Sequence, residues 1–218
     1  MNHSTPLPVV ILISGRGSNM QAIHQAMLDN DLPIDIKAII TNEATAAGLD
    51  YAIDAGITSE IVSHKDFSSR EDFDATLMQT IDRYQPALVI LAGFMRILTT
   101  AFVEHYLGKL INIHPALLPA FPGLNTHARA LEAGVKEHGT SVHYVTPEVD
   151  GGPVILQARV AVHQDDTAEL LQKRVLEQEH VIYPLAIRLI AEGHVTFANN
   201  HAYYDNELLG AKGVNLEV

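Results

Sequence analysis

The sequence predicts an α/β protein with a doubly wound, mostly parallel sheet and an antiparallel C-terminal part. Three observations support this fold class. Continuous apolar runs such as residues 7–13 and 88–92 are typical of strands that are buried on both faces. Helical patterns separate these runs, and strands that alternate with helices indicate right-handed βαβ units. Residues 138–145 then alternate in polarity, and a turn at 150–153 joins them to a strand at 154–162, which favours a hairpin.

Capping, breaker and periodicity signals predict the elements in chain order. In the first half these are strand 7–13, helix 20–27, strand 34–41, helix 46–55, strand 60–63, a helix from Ser68 or Ser69 to 84, strand 88–92 and helix 100–106. In the second half they are strand 110–114, helix 126–133, strands 138–145 and 154–162, a long helix from a capping box at 166–169 to about 191, and short strands at 195–197 and 202–209 with a turn at Asp205-Asn206. No repeat or linker interrupts this order.

Composition excludes several classes of function. The 218 residues are 47% hydrophobic and 18% charged, which is ordinary for a globular protein. A formal charge of −12 argues against nucleic acid or an acidic membrane as a partner. The chain has no cysteine, so thiolate nucleophiles and disulfides are excluded, and its twelve scattered histidines do not form a metal motif. No apolar run reaches about 18 residues, and we expect a cytoplasmic protein.

A glycine loop follows the first strand. Residues 14–19 read Ser-Gly-Arg-Gly-Ser-Asn and lead directly into a helical pattern. Glycines allow a tight turn, and the first amides of a helix suit a phosphate group. The loop is neither a Walker A loop nor a complete dinucleotide fingerprint, so a plain turn between strand and helix remains an alternative.

The strand at 110–114 carries two polar side chains at its end. Pro115 stops the strand, and the alternation of side chains places Asn112 and His114 on one face, roughly 7 Å apart. Ligands bind at the carboxyl ends of parallel strands, which favours chemistry here. A core histidine beside a turn asparagine is the alternative interpretation.

Five motifs together give the chain a family resemblance. They are ISGRGSN at 13–19, AGFMRIL at 92–98, NIHPALLP at 112–119, HGTSVH at 138–143 and DGGP at 150–153. In this order they resemble the glycinamide ribonucleotide transformylase family, the folate-dependent formyltransferases of purine synthesis. Ala116 stands where the family commonly has serine, and Ala120 stands where a basic residue is frequent.

The resemblance implies a Rossmann-like formyltransferase fold and a single domain over residues 1–218. Its phosphate-binding half would cover about 7–107, and its catalytic and folate-binding half about 108–209. The implied reaction passes the formyl group of 10-formyltetrahydrofolate to the amine of glycinamide ribonucleotide, without a metal. The implied catalytic residues are Asn112, His114 and Asp150. The implied ligand contacts are Gly17, Ser18 and Asn19 for phosphate, Glu179 for ribose, and Arg70, Met95, Arg96, Ile97, Leu98 and His143 for folate.

Simpler interpretations stay open for several of these residues. Asp150 could only form a turn, Glu179 and Arg70 could be exposed helix residues, and His143 is as easily structural; His127 is a structural or supporting candidate. At the level of function, a formyltetrahydrofolate deformylase shares the core, although it carries a preceding domain, and a non-catalytic nucleotide-binding module is the other alternative. Methionyl-tRNA formyltransferase needs a further domain and a basic surface. We expect a monomer or a weak homodimer.

Overall fold

The computed structural model describes residues 5–214, which divide into two compact units, residues 5–111 and 112–214. The strands of the first unit are β1 (Leu7–Ile13), β2 (Ile34–Thr41), β3 (Ser59–Ile61) and β4 (Leu88–Leu91). Its helices are α1 (Ser18–Leu28), α2 (Ala47–Asp54), α3 (Arg70–Asp82) and α4 (Thr100–His105), with a 3-10 turn at His64–Asp66.

The four strands of the first unit are parallel and lie in the order β3, β2, β1, β4. Residues 9–13 of β1 are fully buried, because β1 is covered on both faces and has a neighbouring strand on either side. Met20 and Ile23 on one face of α1 are buried as well. The chain leaves β1 towards β2 and later returns to its other side as β4. This reversal of direction creates a switch point, where the ends of β1 and β4 lie side by side.

The second unit begins within β5 (Leu110–His114), because the first two residues of this strand belong to the preceding unit. The remaining elements of the chain follow in the second unit. These are α5 (Thr126–Glu132), β6 (Glu137–Tyr144), β7 (Val154–Ala161), α6 (Ala168–Ala191), β8 (Val195–Ala198), β9 (His201–Tyr204) and β10 (Glu207–Leu208). β6 and β7 are antiparallel, with a shift of register between Val142 and His143. The long helix α6 packs against β6, β7 and α5, and its core includes Leu171 and Val175.

The predicted fold class is confirmed: the strands of the first unit are parallel, and β6 to β10 supply an antiparallel C-terminal part. Ser69 caps α3 by accepting the Asp72 amide, and Thr167 caps α6 in the same way through Leu170. The predicted bounds of β3, 60–63, were wrong, because β3 begins at Ser59 and ends at Ile61. The short strands predicted at 195–197 and 202–209 with a turn at Asp205-Asn206 form β8, β9 and β10, and a further turn at Asn199-Asn200, both with positive φ, joins β8 to β9.

None of the helices in the described part of the chain combines the length and the apolar character that crossing a membrane requires.

Candidate active site

The glycine loop, residues 14–19, turns at Gly17 into α1. Gly17 has a φ of 71°, in the left-handed region, and no side chain caps the helix that begins at Ser18. The dihedral angle favours glycine, and a Cβ on Gly17 would lie 3.1 Å from the Cα of Gly48, which is a tight contact. The first turn of a helix directs its N–H groups outwards and carries the positive end of the helix dipole. The loop therefore has the form of an anion site.

Ser14 fixes a second loop beside the glycine loop. Its N–H donates to the Gly93 carbonyl at 3.2 Å, and its hydroxyl accepts the Met95 amide at 2.8 Å. The same hydroxyl donates to Asn42 Oδ1 at 2.5 Å. Sequence reasoning did not assign Ser14 or Asn42 to the site, although the position of Ser14 directly after β1 could have indicated it.

The loop after β4 presents apolar side chains to solvent. Met95 is 71% exposed and Ile97 65% exposed, whereas Arg96 and Leu98 are half-buried. Exposed apolar groups on a backbone that is held by Ser14 are suited to a flat apolar ligand. Arg70 lies exposed in the first turn of α3, so both interpretations of that residue stay open.

A cluster of four polar side chains lies at the end of β5 in the second unit. We call it the histidine cluster: Asn112, His114, His143 and Asp150. His114 Nδ1 lies 3.4 Å from Asp150 Oδ2, and His143 Nε2 lies 3.7 Å from Asp150 Oδ1. Asn112 Nδ2 lies 3.4 Å from His143 Nε2. The structure thus brings the three predicted catalytic residues together, with His143 as a fourth member.

His143 contacts and orients the side chain of Asn112. It is 2% exposed, and its Nδ1–H donates to the Tyr144 carbonyl at 2.9 Å. Burial lowers the pKa of His143, which favours the neutral ring with an accepting Nε2. The Asn112 amide then points its NH₂ towards this nitrogen. His143 therefore has a structural role, and its predicted contact with folate stays a prediction.

His114 is held on both ring nitrogens. Nε2–H donates to the Phe121 carbonyl at 2.9 Å, while Nδ1 faces Asp150. Both ring nitrogens of His114 therefore face acceptor oxygens. The Asp150 carboxylate is fixed in turn by the Gly123 amide, which donates to Oδ2 at 2.8 Å. Asp150 thus lies beside both histidines of the cluster as well as forming part of a turn.

Side chains of β6 and β7 hold the strand end and the loop that follows it. The Thr140 hydroxyl donates to the His114 carbonyl at 3.0 Å. The Ser141 hydroxyl donates to the Ala116 carbonyl at 2.6 Å, and Gln157 Nε2 donates to the Leu118 carbonyl at 2.8 Å. Sequence reasoning missed these supports because they join distant parts of the chain. Ala116, which stands where the family commonly has serine, is fully buried.

Glu179 lies on the buried face of α6 and is 7% exposed. The interpretation of Glu179 as an exposed helix residue is therefore wrong. Burial raises the pKa of the neighbouring Tyr183 well above its ordinary value, and the Glu179 carboxylate raises it further.

Within residues 5–214, no group of three or more His, Cys, Asp or Glu side chains has an arrangement that could hold a metal ion.

Comparison with known proteins gives a consistent result. The model of the formyl transferase family matches residues 7–187. Phosphoribosylglycinamide formyltransferase of Escherichia coli is 51% identical over 205 residues, which are 94% of this chain and 97% of that protein. The human trifunctional purine biosynthetic protein adenosine-3 is 43% identical over 88% of this chain and 19% of its own length. The solved phosphoribosylglycinamide formyltransferase of Coxiella burnetii superposes with a TM-score of 0.91 at 51% identity, covering 95% of this chain and 98% of that one.

Proposed function

Because the chain belongs to the formyl transferase family and is an enzyme of its phosphoribosylglycinamide formyltransferase group, we propose that it formylates glycinamide ribonucleotide in purine biosynthesis. The formyl donor in this proposal is 10-formyltetrahydrofolate. The observation that carries the proposal is the histidine cluster, in which His114 Nδ1 lies 3.4 Å from Asp150 Oδ2. Two relatives that are named for this reaction align with 94% of this chain.

The chemistry needs no protein nucleophile. The amine of the ribonucleotide attacks the formyl carbon, a C–N bond forms, and the bond between that carbon and N10 of the folate breaks. The amine loses one proton and N10 gains one, so the step balances without an oxidant or a reductant. Negative charge grows on the formyl oxygen as the tetrahedral intermediate forms, and a donor placed at that oxygen stabilises it most.

Asn112 and His114 are the donors in this proposal. Asn112 is half-buried at the strand end. When a ligand binds, the NH₂ group of Asn112 would leave His143 Nε2 and donate to the formyl oxygen instead. His114 Nε2–H is engaged by the Phe121 carbonyl, so the other ring nitrogen, Nδ1, which lies beside Asp150, is the donor that we assign to the formyl oxygen. Asp150 keeps the ring oriented, and the same pair or an ordered water carries the proton from the amine to N10.

Binding of the two substrates is assigned as follows. The amides of Gly17, Ser18 and Asn19 receive the phosphate, which explains how a chain of net charge −12 holds an anion. Glu179 accepts hydrogen bonds from the ribose hydroxyls. The folate contacts are Arg70, Met95, Arg96, Ile97, Leu98 and His143. We further propose that the chain works as one cytoplasmic formyltransferase domain, with a phosphate-binding half over about 7–107 and a catalytic half over about 108–209.

The test is a mass-spectrometric assay of the purified protein with 10-formyltetrahydrofolate, in the presence and absence of glycinamide ribonucleotide. Formylated ribonucleotide in the complete mixture alone is the expected result. Equal release of formate in both mixtures would identify a deformylase, and no reaction in either would favour a binding module. We propose that the protein is a monomer or a weak homodimer, and light scattering should give the corresponding mass. A stable tetramer would contradict this oligomeric state.

A further inference from the structure

We propose that Arg129 is a positioning residue for the His114–Asp150 pair and acts through the segment 121–123. This inference rests on the proposed function, because the pair matters for catalysis only if formyl transfer occurs there. Arg129 lies on α5, contacts residues of the segment that follows β5, and was not assigned any role from the sequence. Its effect on the reaction is therefore indirect.

Arg129 holds the segment by three contacts. Its Nη1 donates to the Pro122 carbonyl at 2.6 Å and to the Leu124 carbonyl at 3.3 Å. Its guanidinium carbon lies 5.6 Å from the centre of the Phe121 ring, within the range of a cation–π contact. A planar guanidinium can donate to neighbouring carbonyls and stack on a ring at the same time, which an ammonium group cannot do as well.

The segment needs such a hold because its backbone is unfavourable. Phe121 has a φ of 54° and Asn125 of 57°, whereas Gly123, with a φ of 79°, is a residue that adopts this region readily. The left-handed region disfavours a side chain with a Cβ, and an aromatic residue has no local hydrogen bond to compensate. Such conformations persist only where the surroundings determine them. The edge contact between Phe121 and His138, with ring centres 6.0 Å apart, fixes the other side of the ring.

The two ends of this short segment hold the two members of the pair. The Phe121 carbonyl accepts His114 Nε2–H at 2.9 Å, and the Gly123 amide donates to Asp150 Oδ2 at 2.8 Å. That same carboxylate oxygen lies 3.4 Å from His114 Nδ1. One strained turn therefore sets both the rotation of the imidazole ring and the position of the carboxylate. Loss of the Arg129 contacts should loosen both together.

Kinetics of three variants test the proposal. Arg129→Ala removes all three contacts, Arg129→Lys keeps a charge and one donor, and Arg159→Ala is a matched control that removes an exposed arginine paired with Glu137. We expect Arg129→Ala to lower kcat about tenfold and to leave KM for the ribonucleotide within about twofold, with Arg129→Lys between it and the unchanged control. An unchanged kcat, or an equal loss in Arg159→Ala, would overturn the proposal.

Nitrogen NMR of the His114 ring gives a readout that is independent of turnover. In the unliganded protein, Arg129→Ala and Arg129→Lys should shift the His114 Nε2 and Nδ1 signals, whereas Arg159→Ala should not. Unshifted His114 signals in both Arg129 variants would show that Arg129 does not position the pair. If the wild-type protein fails to formylate the ribonucleotide, the proposed function is wrong, and the NMR result still decides the structural part of the inference.

Discussion

The glycine loop and the histidine cluster both begin where a buried strand ends, yet they are built from different atoms. The glycine loop offers backbone amides, and its shape depends on a left-handed glycine and on the close approach of Gly48. The histidine cluster offers side chains, and each is oriented by a partner outside β5, namely Tyr144, Phe121 or Gly123. A backbone site can tolerate changes of side chain that a side-chain site cannot.

The glycine loop and the histidine cluster also differ in what stabilises them. An anion at a helix start is held by dipoles that the fold provides in any case. The cluster instead places two imidazoles and a carboxylate in a buried space, where loss of one partner leaves the others unsatisfied. Substitutions in the cluster should therefore act on turnover, and substitutions in the glycine loop on substrate affinity.

Replacement of Asn112 should give the largest effect. Asn112→Ala removes the donor that we assign to the formyl oxygen, and a lost donor of this kind lowers kcat by about 10²- to 10³-fold. KM for the ribonucleotide should change little, because its phosphate is assigned to the glycine loop. Steady-state kinetics with each substrate varied in turn provide the measurement. A variant that kept near-normal turnover would place the stabilisation of the formyl oxygen elsewhere.

Acid should destabilise the protein mainly through buried histidines of the second unit. Burial lowers the pKa of His138 from 6.5 to about 4, so the unfolded chain takes up this proton at a higher pH than the folded chain. The stability that this difference provides is complete above pH 6.5 and is lost as the pH falls towards 4. Between pH 7 and pH 5 the free energy of unfolding should fall by about 2 kcal/mol from His138 alone.

Urea unfolding of the wild-type protein and of His138→Gln at both pH values tests this expectation. The variant should lose less stability on acidification than the wild type does. His194→Gln is the opposing control, because the hydrogen bond that His194 Nδ1–H donates to Asp205 Oδ1 raises the pKa of His194 and so stabilises the folded state in acid. Its loss should steepen the decline. Equal declines in all three proteins would show that His138 is not the source of the acid sensitivity.

Asp150→Asn should lower turnover by at least about tenfold, equivalent to roughly 1.4 kcal/mol on the barrier, and leave ribonucleotide binding nearly intact. The amide has the shape of the carboxylate and can still accept the Gly123 N–H, but it no longer provides the negative charge beside His114. Asp165→Asn, at an exposed position of the same unit, is the control and should behave as the wild type. Near-normal turnover of Asp150→Asn would remove Asp150 from the mechanism.

The sequence predicted those parts of the site that depend on local patterns. β5 has the predicted bounds, Leu110–His114, because Pro115 stops a strand of branched side chains. The period of a strand then correctly grouped Asn112 with His114. Gly17 adopts the positive φ that a glycine at that place indicated. Asp150 was assigned by resemblance, since no local pattern shows that a turn so distant in sequence reaches β5.

Other features depend on contacts that no local rule contains. The Phe121 carbonyl reaches His114 only because an aromatic residue adopts a left-handed conformation, which sequence propensity disfavours. The support of Met95 by Ser14 joins the ends of two strands and depends on the order of strands in the sheet.

The smallest effect should come from the glycine loop, where side chains contribute least. Gly17→Ala forces alanine into a φ of 71° and brings its Cβ within 3.1 Å of Gly48 Cα. This change should raise KM for the ribonucleotide about fivefold, the equivalent of the left-handed penalty, without a change in kcat. Ser18→Ala keeps the backbone amide and should alter KM by less than about twofold. A larger rise for Ser18→Ala than for Gly17→Ala would mean that the hydroxyl, and not the helix start, holds the phosphate.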